Sequence, residues 1–277
     1  MVQPVQRHLR IEPAGSWQGL QLAELWRYRE LLYFFVWRDI KVRYKQTVLG
    51  ALWAVIQPLA GTALFTLFFG RLGGLSRQVD GSYSLFVYVG LSLWTFYANA
   101  VALAANSLVG SSHLIAKVYF PRLLIPLAAI FSGLIDFLVA FGFLVVLMIV
   151  YRVPPSTVIL TLPLFVLGTM AVAAGVGALF SALVVSYRDF RYVIGFVVQL
   201  WLFATPVLYT LDSIPTEWRV LYAANPMVGM ISGFRAAVLG GPLPLDVILT
   251  STVVAALLLT AGLRYFTSVQ RRFADVI

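Results

Sequence analysis

Six stretches of this sequence are apolar for long enough to cross a lipid bilayer, and that excludes most folds at once. They cover about residues 49–70, 84–108, 123–151, 157–185, 193–211 and 245–266. A helix rises about 1.5 Å per residue, so roughly 20 apolar residues match about 30 Å of hydrocarbon. Backbone polar groups at that depth must be satisfied within the protein, which leaves helices and closed barrels. The runs are continuous and not alternating, which excludes a barrel. The sequence therefore reads as an all-α integral membrane protein. Pro58 inside the first run is tolerable, because neighbouring helices can satisfy the carbonyl it frees. Composition agrees: 61% of the 277 residues are hydrophobic and 11% charged, where a soluble domain has about half and a quarter. The length suits one membrane domain of several helices.

The flanks of the runs orient them. Before the first run stand Arg38, Lys41, Arg43 and Lys45, with Asp39 as the only acid among them. Lys and Arg resist transfer across the bilayer, so this mouth is expected on the cytoplasmic side. Six crossings put both termini on one side. Fifteen of the 20 Lys and Arg residues fall on that side and five on the other, which predicts two cytoplasmic termini. The net charge of +9 gathers beside apolar runs and so implies no nucleic acid. The chain has no cysteine, which excludes disulfides and thiolate metal sites. The first 16 residues lack the apolar core of a signal peptide.

The segments between the runs are also patterned. Ser16 can cap a helix over 17–36. Leu22, Leu25, Trp26, Leu32, Tyr33 and Val36 would share one side, Glu24, Arg27 and Glu30 the other, with Arg29 intruding on the apolar side. That pattern suits a helix in the membrane interface, or one packed on a soluble partner. Residues 212–244 are too many for a turn and too apolar for a solvated loop. Asn225 and Pro226 read as N-cap and first helical residue, with a stop at Gly240 and Gly241 and a short helix over 214–224 before them. Two short helices dipping back into the bilayer fit best, with a folded surface hairpin as the other reading. Small residues at Ala171, Ala173, Ala174, Gly175, Gly177 and Ala178 allow close helix approach in the fourth run.

Catalytic chemistry has no foothold. There is no phosphate-cradling G-x-x-x-x-G-K-[ST], no G-x-S-x-G and no H-E-x-x-H. His8 and His113 are far apart and suit surface positions. No metal site is expected, and any ATP hydrolysis must belong to another polypeptide. Asp136, midway along the third run, is the polar group to explain. A carboxylate in lipid costs at least about 2.5 kcal/mol, so it faces a polar path or a helix–helix hydrogen bond. Asn99, Asn106 and Gln199 raise the same question more weakly. Tyr187, Arg188, Asp189 and Arg191 can pair among themselves or close the inner mouth.

Five segments carry a resemblance: RDIKVRYKQTVLGALW from Arg38, SSHLIAKVYFPR from Ser111, YRDFRY from Tyr187, NPM from Asn225 and RRFADVI at the end. Together they resemble the ABC-2 type polysaccharide export permeases of bacteria, especially the transmembrane subunits of O-antigen (lipopolysaccharide) ABC transporters. The resemblance implies a single domain over 1–277. It would comprise an interface helix (17–36), a six-span bundle with re-entrant helices between spans five and six (49–266) and a cytoplasmic tail (267–277). It implies ATP-driven export of a lipid-linked, O-antigen-like polysaccharide across the bacterial inner membrane. A homodimer would work with two copies of a separate nucleotide-binding ATPase, which holds ATP and Mg; this chain itself would bind no cofactor.

The resemblance also assigns roles. Residues 109–120 would form the helix that couples to the ATPase, through Ser111, His113, Lys117 and Tyr119; the plainer reading is a connector. Arg38, Lys41, Arg43, Lys45, Tyr187, Arg188 and Asp189 would frame the cytoplasmic mouth. Phe65, Trp94, Asp136, Trp201 and Tyr209 are channel-lining candidates, since aromatic faces suit the C–H faces of sugar rings, although lipid-facing belts also use such rings. Asn225, Pro226 and Arg235 would belong to an external gate. Two other classes stay open: an ABC-2 exporter of a small drug or lipid, and a membrane glycosyl- or acyltransferase, against which the missing acid pair and catalytic histidine argue.

Overall fold

The computed structural model describes residues 22–45, 47–79, 81–270 and 273. Within them the chain is helical and forms no strand. In order come α1 (Leu22–Arg27), α2 (Arg29–Tyr44), α3 (Gly50–Leu72), α4 (Tyr83–Gly110), α5 (Ser112–Lys117) and α6 (Leu124–Val150). They are followed by α7 (Thr157–Ser186), α8 (Phe190–Phe203), α9 (Thr216–Tyr222), α10 (Pro226–Leu239) and α11 (Leu245–Val269). Among the described residues five helices, α3, α4, α6, α7 and α11, are long and apolar enough to cross a bilayer.

Local chemistry sets the element ends. The Ser82 hydroxyl accepts from the Leu85 amide to open α4. Asn225 caps α10 by accepting from the Met227 amide at 3.0 Å, Pro226 takes the first helical position, and Gly240 closes the helix at φ 81°. Pro58 lies inside α3, whose last stretch, Thr66–Leu72, winds as a π-helix.

The core forms around α4, which packs against α3, α6, α7, α8 and α10. Its Val87, Tyr88, Val89, Leu93, Tyr97, Ala100 and Val101 are closed to solvent. On the far side of α7, α11 approaches so closely that a Cβ on Gly262 would lie 2.0 Å from the Gly175 carbonyl oxygen. Dispersion contact between backbones holds such pairs where no hydrophobic drive exists between helices in lipid. A second cluster gathers at the end of the bundle that carries α2 and α5, the basic end. There Phe35 meets Phe120 edge to face at 5.4 Å, and Phe266 meets Phe273.

Two expected boundaries moved. The helix expected over 17–36 is α1 and α2, which break at Tyr28 and run on through the basic segment to Tyr44; residues 17–21 lie outside the described residues. Arg and Lys are good helix formers and no Gly or Pro interrupts them, so the helix has no reason to stop at 36. The run at 193–211 is helical only as Phe190–Phe203, 14 residues. Pro206 then removes a donor and the chain turns through 204–210. This segment still follows α4 along its length: Arg191 bonds Asn106, Trp201 packs on Tyr97, and Leu208 accepts from the Tyr83 hydroxyl.

Candidate functional site

A cavity of about 460 Å³ opens between α3, α4 and α6 at the basic end. One face of α4 supplies Ser92, Thr95, Asn99 and Asn106, spaced three, four and seven apart and so aligned on a helix. Gln57 and Trp53 come from α3, and Gly133, Asp136 and Phe137 from α6. Arg43, one residue before the end of α2, borders the same space.

Asp136 is bonded at both carboxylate oxygens. Arg43 donates to one carboxylate oxygen and the Tyr44 hydroxyl to the other, while Arg43 also reaches Ser132 Oγ at 3.0 Å. Ser132 in turn donates to the Ala129 carbonyl at 2.9 Å. Arg43 and Asp136 keep about a quarter of their side-chain surface exposed, 26% and 23%. Burial, with the hydrogen bond to Asp136 second, pushes the Tyr44 hydroxyl up to about 12. The cluster clips the end of α2 to α6 just where α3 starts. Asp136 therefore sits level with the mouth of the first span, and the ion pair answers the desolvation cost that its place in an apolar run implied.

The other residues singled out in the sequence are spread along the bundle. Arg38 pairs with its neighbour Asp39 at 2.8 Å and lies over Phe35, and Lys41 lies over Trp37; Lys45 is exposed. On and beside α5, His113, Lys117 and Tyr119 are exposed, while Ser111 is buried at its start. Tyr187, Arg188 and Asp189 are exposed between α7 and α8, and among the described residues no ion pair joins Arg188 or Asp189. Of the five channel-lining candidates only Asp136 borders the cavity. Trp94 is buried against Tyr97, Phe65 packs beside Phe69, Trp201 donates to Asn225 at 2.8 Å, and Tyr209 bonds the Tyr222 hydroxyl and the Phe203 carbonyl.

The opposite end is tied by Asn225 and Arg235. Besides capping α10, Asn225 donates to the Ala204 carbonyl and Thr205 Oγ1 at 2.9 Å, which fixes the end of α8. Arg235 is 8% exposed and has no carboxylate partner among the described residues. It donates to the Pro206 and Val207 carbonyls, each at 2.9 Å, and stacks 3.6 Å over Phe86. Gly90 makes the room: a Cβ there would sit 2.6 Å from the guanidinium.

Sequence reasoning missed Gln57, Thr95, Tyr44 and Ser132. The signal was present for Thr95: it falls between Ser92 and Asn99 on one helical face of an otherwise apolar run.

A polytopic helical bundle with a polar cavity opening at one end has the construction of a membrane transport protein. The chain belongs to the ABC-2 type transporter family, whose model matches residues 30–239. It is 30% identical over 250 residues to an O-antigen export system permease protein RfbA of Klebsiella pneumoniae, covering 90% of this chain and 95% of the relative. Its identity to the protein of the same name from Myxococcus xanthus is 29% over 257 residues, 92% of this chain and 98% of the relative. It is also similar to the inner membrane transport permease YadH of Escherichia coli K12, 29% over 202 residues, 67% of this chain and 75% of the relative.

Proposed function

We propose that this chain is the membrane subunit of an ATP-driven exporter that moves a lipid-linked, O-antigen-like polysaccharide out across the bacterial inner membrane. The observation that carries the reading is the polar and aromatic cavity inside the apolar bundle, beside the cationic end of α2. Polar side chains and aromatic rings set together within a bundle of apolar helices suit the passage of a hydroxylated polymer, and the similarity to O-antigen export permeases supports that cargo. Two copies form the working unit, facing each other across α3, the least covered of the long apolar helices, and α8. Each copy crosses six times, with α8 and its following turn as the fifth crossing, and keeps both termini in the cytoplasm. Two copies of a separate ATPase, holding ATP and Mg, dock beneath through α5 and its flanks, with His113, Lys117 and Tyr119 outermost. The cytoplasmic mouth is framed by Arg38, Lys41, Arg43, Lys45 and the 187–189 loop, and the outer gate by the turn that Asn225, Pro226 and Arg235 hold. ATP binding shifts the pair between states only through unequal affinity for them.

The test is reconstitution of the chain with its cognate ATPase in cells lacking their own exporter. ATP-dependent arrival of polymer at the outer leaflet is expected, lost with an ATPase-dead partner. Efflux of small hydrophobic compounds with no polymer movement would replace this reading by a drug or lipid exporter. Sugar or acyl transfer by the purified chain without an ATPase would replace it by a transferase.

A further inference from the structure

Helix α5 is too short to hold itself in place. It has six residues, and isolated helices below about 12 residues are marginal in water. Its position is therefore set by what grips it. At its start Ser111 is buried beside the end of α4, and Ile115 points into the core while His113 and Lys117 face out. The far end passes into the connection 118–123, in which Val118 and Tyr119 are exposed but Phe120 and Leu123 are buried. Phe120 rests on Phe35 of α2.

A second grip comes from beyond α11. Phe273 is closed to solvent and meets Phe266 edge to face at 5.4 Å. The Arg122 guanidinium lies 6.0 Å from the centre of the Phe273 ring, within cation–π range, and donates to the carbonyl of Gln270, the C-cap of α11. A cation there also meets the negative end of the helix dipole. Helix α11 is itself firmly seated, because its backbone touches that of α7 at Gly175 and Gly262. Arg122 thus ties the connection after α5 to a fixed helix 148 residues further along the chain.

We infer that Arg122 and Phe273 are positioning residues for ATPase docking: they hold the far end of α5 in place, so that the partner meets a preformed helix. The inference rests on the reading that α5 docks the ATPase, and adds that the segment beyond α11 sets the affinity of that contact. Binding to a loose helix has to supply the ordering as well. The apparent Kd then rises as the fraction of molecules with α5 in place falls.

The experiment titrates the full chain in lipid nanodiscs with its cognate ATPase and reads both the Kd and the ATP turnover at saturation. Phe273→Ala and Arg122→Gln should each raise the Kd about three- to tenfold, the effect of roughly one net hydrogen bond or packing contact. Turnover at saturation should stay as in the unaltered complex, whereas a misfolded fraction would lower it. Arg122→Lys, which keeps the cation and a donor, should recover most of the affinity. The double variant should lose little more than either single one, because both changes open the same contact. A spin label on Val118→Cys, the only cysteine in the chain, should become more mobile in both variants before any ATPase is added. Unchanged Kd in both variants, an unchanged label, or lower saturating turnover with Kd unchanged overturns the inference. The pair His113→Ala with Lys117→Ala separates it from the docking reading. If that pair leaves the Kd unchanged, docking is not on α5 and both fail. If the pair raises the Kd and the Phe273 and Arg122 variants do not, the positioning role alone fails.

Discussion

Asp136 shows how a single residue's setting decides what it does. Its carboxylate joins Arg43 and Tyr44 of α2 to α6, so truncation on either side strands a partly buried ionic group. Asp136→Leu or Arg43→Met alone should destabilise the solubilised protein by about 1–3 kcal/mol, and the double change by less than their sum, because the charge left behind is the larger part of the cost. Chemical unfolding of the four proteins in one detergent measures that coupling. The Tyr44 hydroxyl adds a pH dependence. Burial and the bond to Asp136 favour its neutral form, so its pKa rises from 10.0 to about 12 on folding. Its contribution is then complete below about 10 and lost as pH climbs through 12. The α2–α6 contact should be indifferent to pH from 6 to 9 and loosen above 10, and Tyr44→Phe should remove that alkaline step; a step unchanged in Tyr44→Phe belongs to another group. Gly90 and Arg235 make a second pair. Gly90→Ala puts a methyl 2.6 Å from the guanidinium, so about 1–3 kcal/mol is expected from overpacking, and Arg235→Lys should not restore it, since one ammonium cannot fork to two carbonyls and stack.

Elements were legible in the sequence wherever one force dominated. The long apolar runs gave α3, α4, α6, α7 and α11 to within a few residues, because hydrophobic length alone decides a spanning helix. Asn225, Pro226 and Gly240 bounded α10 because cap chemistry is local. The end of α8 was not legible. It depends on Arg235 and Asn225, farther along the chain, which supply donors to the carbonyls at 204, 206 and 207, the last two of them in buried hydrogen bonds. The cavity was half legible: Asp136, Asn99 and Asn106 stood out as polar in apolar runs, but their joining with Gln57 and Arg43 is set by packing. At this scale the prediction concerns α5. Helix-in-groove contacts depend on a few anchors, and His113 and Lys117 share an exposed face four residues apart. Changing both to Ala should reduce ATPase recruitment or stimulation several-fold while membrane insertion stays normal. Single cysteines at 113 and at 188, oxidised against a cysteine-bearing ATPase, separate this helix from the 187–192 loop; efficient linkage at 188 with none at 113 would move the coupling role to the loop.

For the whole molecule the number of crossings decides everything downstream. Five spanning helices alone would leave the termini on opposite sides, whereas six crossings would put them together and divide the cations 15 to 5, the division expected of two cytoplasmic termini. The disagreement falls on α8. Fourteen residues rise only about 21 Å, short of roughly 30 Å of hydrocarbon. Yet the chain from Arg191 to Leu208 touches α4 from Asn106 to Tyr83, nearly its full length, so the turn after α8 supplies the missing height. A backbone turn at that depth is tolerable only if its carbonyls are bonded, and Arg235 and Asn225 bond them. The expectation is six crossings, with α9 outside and α5 inside. In intact cells, Glu217→Cys on exposed α9 should react with an impermeant thiol reagent, while Lys117→Cys and a cysteine added at either terminus should react only after permeabilisation. The chain's lack of native cysteine makes each label unambiguous. Labelling of the C-terminal cysteine from outside, with the N-terminal one and Lys117→Cys protected, would return the count to five.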